Sequence, residues 1–157
     1  MEILQQNLDI TSVDGQMQEN LSQTVAKPLS TFGTALLLSR YWYIGMGTDI
    51  LGFRITDRVL HSGLVGIMSF FESTLRQYLL PNVIGSKLAN FTIDMSSPFV
   101  IGTSTLLLNE ALSFYYYGIP TTTSEMFYSF SFGFVSEIIG KWLYDNVIKK
   151  VTNSMLV

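Results

Sequence analysis

The chain has no cysteine and a single histidine, His61. Disulfide scaffolds and thiolate metal sites are thereby excluded, and one imidazole supplies neither bis-histidine haem ligation nor a His-x3-His metal site. Charge is scarce: Asp, Glu, Lys and Arg make up 13% of the 157 residues, against roughly 25% in an ordinary soluble domain. The formal charge of −3 and the lack of any Lys/Arg cluster argue against nucleic-acid binding. Gly-x-Ser-x-Gly, Walker and dinucleotide-loop motifs are missing. No catalytic residue, cofactor or metal ligand is therefore expected. Long, purely apolar runs are lacking too.

The chain is instead rich in aromatics, at 13%, with a mean hydropathy of +0.34. Four segments, 30–52, 59–80, 99–119 and 126–144, are apolar enough to enter a membrane. Each averages only roughly +0.8 to +0.9 on a hydropathy scale, which is marginal for a span and suits helices that shield one another in a bundle. A soluble helical domain buried in a larger assembly is the competing class. At this length one domain is expected. Residues 1–27 read as a polar, acidic arm with neither the basic region nor the apolar core of a signal peptide. Pro28 suits the start of the first helix, 85–97 reads as a polar loop, Pro98 opens the third segment, and Ser124 is a candidate N-cap for the fourth.

The halves 28–87 and 98–151 repeat weakly. Pro28-x4-Gly33-Thr34 followed by Leu36-Leu37-Leu38 recurs as Pro98-x3-Gly102-Thr103 followed by Leu106-Leu107-Leu108, and Glu72-x3-Arg76 recurs as Glu137-x3-Lys141. Each half predicts a helical hairpin, and the hairpins run in the same sense. The expected fold is all-α: a four-helix transmembrane bundle of two tandem two-helix hairpins. The second hairpin, with Gly102, Thr103, Glu137, Lys141 and Tyr144, resembles a bacterial two-span membrane family of unknown function, and that resemblance implies fold but no activity. In its polar-aromatic style the chain also resembles small multi-span membrane proteins of large icosahedral DNA viruses with an internal membrane.

Each apolar segment holds an ionisable group, and a charge at the bilayer centre costs at least ~2.5 kcal/mol. Glu72 with Arg76, and Glu137 with Lys141, are facing neighbours at i,i+4 with the acid in the favourable N-terminal place. Arg40 and Glu110 occupy equivalent repeat positions with opposite charge, so they are expected to meet across the interior. Two small-residue stripes, Ser62/Gly66/Ser69/Ser73 and Ser129/Gly133/Ser136/Gly140, predict close helix packing. Gly45-Met46-Gly47-Thr48-Asp49 with Tyr144-Asp145 superficially suggests intramembrane aspartyl proteases. A threonine interrupts the motif, the order is reversed and four spans are too few.

These readings favour a non-enzymatic, multi-span membrane protein with a structural or assembly role. Its partners would be the lipid bilayer and other membrane or shell proteins, with a virion inner membrane as one setting. Basic residues place both termini on the cytosolic or particle-interior side. The alternatives are a small oligomeric transporter or channel using Glu72, Glu110 and Glu137, and an accessory subunit of a membrane enzyme complex.

Overall fold

The computed structural model describes residue 17 and residues 21–45, 55–79 and 87–154, all helical apart from the turn at 118–122. Helix α1 spans Lys27–Gly45 and is entered through a π-helical turn, Ser22–Ala26. Helices α2 (Ile55–Leu79), α3 (Lys87–Tyr117) and α4 (Thr123–Leu143) follow. A second π-helical turn, Tyr144–Ile148, leads into a short α5, Lys149–Ser154. Helix α1 packs on α2 and α4, and α3 on α4 and α2. Contacts such as Lys27 to Glu72 and Glu137, and Asn109 to His61, run antiparallel between neighbours. The result is an up-down-up-down bundle. A 3.0 Å bond between the Ser22 and Tyr144 hydroxyls joins the entry to α1 and the exit from α4 at one end.

Three boundaries differ from the sequence expectation. Residues 22–27, expected in the polar arm, are helical and continue through Pro28, with Lys27 buried. Pro98 lies inside α3, which starts eleven residues earlier at Lys87. Interior proline removes one backbone bond at a cost of about 3 kcal/mol. Here the preceding turn is held by tertiary contacts, since Asp94 pairs with Arg76 and Lys141 and Ser97 donates to Glu137. The polar 85–97 stretch is thus largely helix, not loop. The α4 cap is Thr122, not Ser124: its hydroxyl accepts from the Glu125 amide, and the Glu125 carboxylate accepts from the Thr122 amide. That capping box satisfies two otherwise orphan donors. Helix α3 ends at Gly118, whose φ of +66° is the left-handed conformation that glycine adopts without strain.

Glycines allow close helix approaches. A Cβ on Gly140 would lie 2.5 Å from the Thr31 Cα, one on Gly66 would lie 2.8 Å from the Phe32 Cβ, and one on Gly102 2.9 Å from the Phe130 carbonyl oxygen. Gly133 sits against Thr105.

The polarity of the bundle is inverted relative to a water-soluble domain. Among the described residues five apolar side chains are buried (Ala35, Val65, Ile101, Phe132 and Tyr144), against sixteen polar or charged ones. Outward, every exposed position from Val59 to Tyr78 is apolar or aromatic: Val59, Leu60, Ile67, Phe70, Phe71, Leu75 and Tyr78. From 125 to 143 on α4 the exposed positions are Phe127, Ile138 and Trp142. No helix among the described residues is long and apolar enough to cross a membrane, which weakens the expectation of four independent spans. The physical reason is visible in the burial pattern. Ser30, Thr31, Thr34 and Ser39 on α1 and His61, Ser62, Ser69 and Ser73 on α2 face inward, and they lower a hydropathy average taken over both faces.

Candidate functional site

Glu137, fully buried on α4, lies at the centre of the polar interior. Its Oε1 accepts from the Ser97 hydroxyl at 3.0 Å and the Lys27 ammonium at 3.1 Å. Its Oε2 accepts from the hydroxyls of Thr31 and Ser69, each at 3.0 Å. One carboxylate therefore ties all four long helices together, with two donors on each oxygen. Lys27 also reaches Glu72 at 3.1 Å. Glu72 lies 3.9 Å from the Arg76 Nε, Arg76 pairs with Asp94 at 2.5 Å, and Asp94 with Lys141 at 2.9 Å. Charges thus alternate along Glu137, Lys27, Glu72, Arg76, Asp94 and Lys141, and they sum to zero.

The arrangement follows from four-residue steps, which keep side chains on one helix face. One turn from Thr31, Ser69 and Ser97, moving away from Lys27, stand Ala35, Val65 and Ile101. With Phe132 of α4 these form one contiguous apolar cluster, each member at most 1% exposed. Every long helix contributes one residue, so an apolar layer crosses the bundle directly beneath the carboxylate. Beyond it lies a second polar region. There the His61 ring nitrogen and Asn109 are 2.7 Å apart, and Glu110 accepts from the Thr121 amide at 3.1 Å and from the Thr121 hydroxyl.

Burial disfavours the Lys27 ammonium, but the charges of Glu137 and Glu72 outweigh it and hold its pKa above the ordinary lysine value. Asp94 is likewise disfavoured by partial burial. The Lys141 hydrogen bond and the Arg76 charge prevail and hold it below the usual carboxylate range. Both residues lie outside the apolar segments named above.

Of the residues singled out in the sequence, Glu72 and Arg76 come together as an i,i+4 pair. Glu137 and Lys141 instead take different partners, Lys27 and Asp94. Arg40 and Glu110 form no ion pair: Arg40 is exposed, while Glu110 is engaged with Thr121. Repeat equivalence puts the two at similar heights, but it does not turn both side chains to the axis. Of the stripes, Ser62, Gly66, Ser69, Ser73, Gly133, Ser136 and Gly140 are buried and Ser129 is partly buried. Gly45 is the last residue of α1, and Gly47 and Asp49 lie outside the described residues.

Sequence reasoning missed Lys27, Thr31, Asp94 and Ser97. Lys27 reads as a flanking charge and 94–97 as loop. The available signal was the spacing Lys27/Thr31/Ala35, a polar stripe on one face that enters an apolar one.

Comparison with family models, curated proteins and solved structures finds no match. What the site can do must follow from its geometry. A carboxylate with all four acceptor directions filled by Ser97, Lys27, Thr31 and Ser69 leaves none for a substrate. Among the described residues no group of three or more His, Asp or Glu converges as a metal site. The chemistry that fits is cross-linking of helices by a buried ionic hub.

Proposed function

We propose that this is a non-enzymatic structural or assembly protein whose bundle is embedded by its apolar exterior, in lipid and against neighbouring proteins of a larger membrane-associated complex. The observation that carries the reading is the inverted polarity. Along 30–40, 59–78, 99–116 and 126–143, within the apolar segments, Arg40 is the only charged residue that is exposed. Large side chains such as Leu37, Phe71, Tyr78 and Trp142 are more than half exposed. Contiguous apolar surface on this scale marks an interaction surface. With no water on that face, buried polar groups become the natural means of holding helices together.

No helix among the described residues is apolar enough to insert alone, so these helices would enter the membrane as a preassembled bundle whose polar faces are already paired. The exposed face of α3 includes Thr92, Ser96 and Thr103, which fits a protein neighbour there better than lipid. A structural role is favoured over conduction by the Ala35/Val65/Ile101/Phe132 layer. It separates the Glu137 site from the His61–Asn109 region, and a proton or ion path would have to cross it.

The test is fractionation of the expressed chain. The expected result is retention in the membrane pellet through alkaline carbonate and flotation with liposomes. Release by carbonate, or a monodisperse protein in buffer without detergent, would overturn the proposal.

A further inference from the structure

Among the described residues five buried polar atoms have no hydrogen-bond partner: Thr34 Oγ1, Ser62 Oγ, Ser73 Oγ, Arg76 Nη2 and Ser136 Oγ. Thr34 and Ser73 are 5% exposed, and Ser62 and Ser136 are fully buried. A buried donor or acceptor left unpaired bears its full desolvation penalty, so each such group calls for an explanation.

Four of the five fall into two pairs. Ser73 and Arg76 are three residues apart on one face of α2, where side chains are neighbours. Thr34 and Ser136 lie on α1 and α4, which are antiparallel and pack closely where Gly140 meets Thr31. One turn along each helix from that contact brings Ser136 opposite Thr34 and Ala35. Both pairs flank the Glu137 hub: Ser136 precedes it in sequence, and Ser73 is one turn from Ser69.

We infer that these pairs are internal water sites, one bridging Arg76 Nη2 and Ser73 Oγ, the other bridging Thr34 Oγ1 and Ser136 Oγ. The ligand is neutral. A cation at the first pair would lie against the Arg76 guanidinium, and at the second pair the neighbouring Glu137 has both oxygens already taking two donors. An anion needs excess positive charge, and the six charges of the network cancel. Water can accept from the guanidinium and donate to the serine hydroxyl. It can also donate to both hydroxyls of the second pair. Two such sites lie well within the roughly six buried waters expected for a chain of this length at one per ~27 residues. They extend the polar hub on either side of the carboxylate and stop at the apolar layer.

The test uses the full chain in the medium in which it is purified. Thr34→Val, Ser136→Ala, the double variant and Ser73→Ala are compared by thermal unfolding, and water-to-amide magnetisation transfer is measured at Thr34 and Ser136 by NMR. Each single change is expected to lower Tm by about 2–8 °C. The Thr34→Val/Ser136→Ala double should cost less than the sum, because the first change already loses the shared water. The sign is stringent, since alanine is the better helix former and deleting a truly orphan hydroxyl raises stability. Transfer with the sign of a long-lived bound water is expected at both amides. Unchanged or raised Tm in the single variants, or no such transfer, overturns the inference.

Discussion

Replacing Lys27 with methionine removes the one cation that touches Glu137 and leaves a fully buried carboxylate with three hydroxyl donors. Breaking a buried pair from one side costs about 3–5 kcal/mol, because the remaining charge stays desolvated. For a chain near 150 residues each kcal/mol moves Tm by about 2–4 °C, so Lys27→Met should lower Tm by about 6–20 °C. Glu137→Gln is milder. Its amide oxygen can face Ser97 and Lys27 while its NH2 faces Thr31 and Ser69, whose hydroxyls can turn to accept. Lys27 meanwhile keeps Glu72 at 3.1 Å. The loss is a charge-assisted hydrogen bond, about 1.5–3 kcal/mol. The double variant should be more stable than Lys27→Met alone, with a coupling energy of about 2 kcal/mol or more. Denaturant unfolding followed by helical circular dichroism measures all three. Simple additivity, or Glu137→Gln as damaging as Lys27→Met, would refute the hub as drawn.

Other outcomes are fixed by the same geometry. Gly140→Ala should destabilise by about 1–3 kcal/mol, because its Cβ would meet the Thr31 backbone at 2.5 Å in a packed interface. Gly33→Ala, with nothing within 4 Å, should be neutral or stabilising, and paired thermal melts distinguish the two. Val65→Asn, which buries an amide in the apolar layer, should cost about 1–3 kcal/mol in denaturant unfolding. Arg40→Gln should fall within about ±0.5 kcal/mol, and its effect should add to that of Glu110→Gln, since the two side chains do not meet. Stability should also depend on pH at both extremes. The raised Lys27 pKa contributes stability fully below the unfolded lysine value of about 10.4 and loses it as pH rises through the higher folded value. The lowered Asp94 pKa contributes above about 3.9 and is lost as pH falls through the lower folded value. Stability–pH curves of Lys27→Met and Asp94→Asn should flatten the alkaline and acid limbs respectively.

Much of the helical content was legible because the apolar segments and the small-residue stripes are local signals. The bounds of α3 were not, since Pro98 and the polar 87–97 stretch argue for a loop on local grounds. That turn is helical because of what Asp94 and Ser97 touch on other helices. Within the site, Glu72–Arg76 was legible from i,i+4 spacing. Partner choice for Glu137 was not, because Lys141 at i+4 and Lys27 on another helix are equivalent on paper. Only the approach of α1 to α4 at Gly140, where Ser30 also donates to the Gly140 carbonyl, selects Lys27. The Arg40–Glu110 expectation rested on repeat symmetry, which carries height along the bundle but not rotation about each helix.

The proposed function requires that the apolar exterior of this bundle meet lipid. Trp142 is 59% exposed on α4 and becomes the sole tryptophan in a Trp42→Phe variant. Its fluorescence in liposomes carrying lipids brominated along the acyl chain measures that contact directly. Strong quenching by brominated acyl chains and weak quenching by aqueous iodide are expected. The reverse, with iodide quenching Trp142 and brominated lipid leaving it bright, would contradict it.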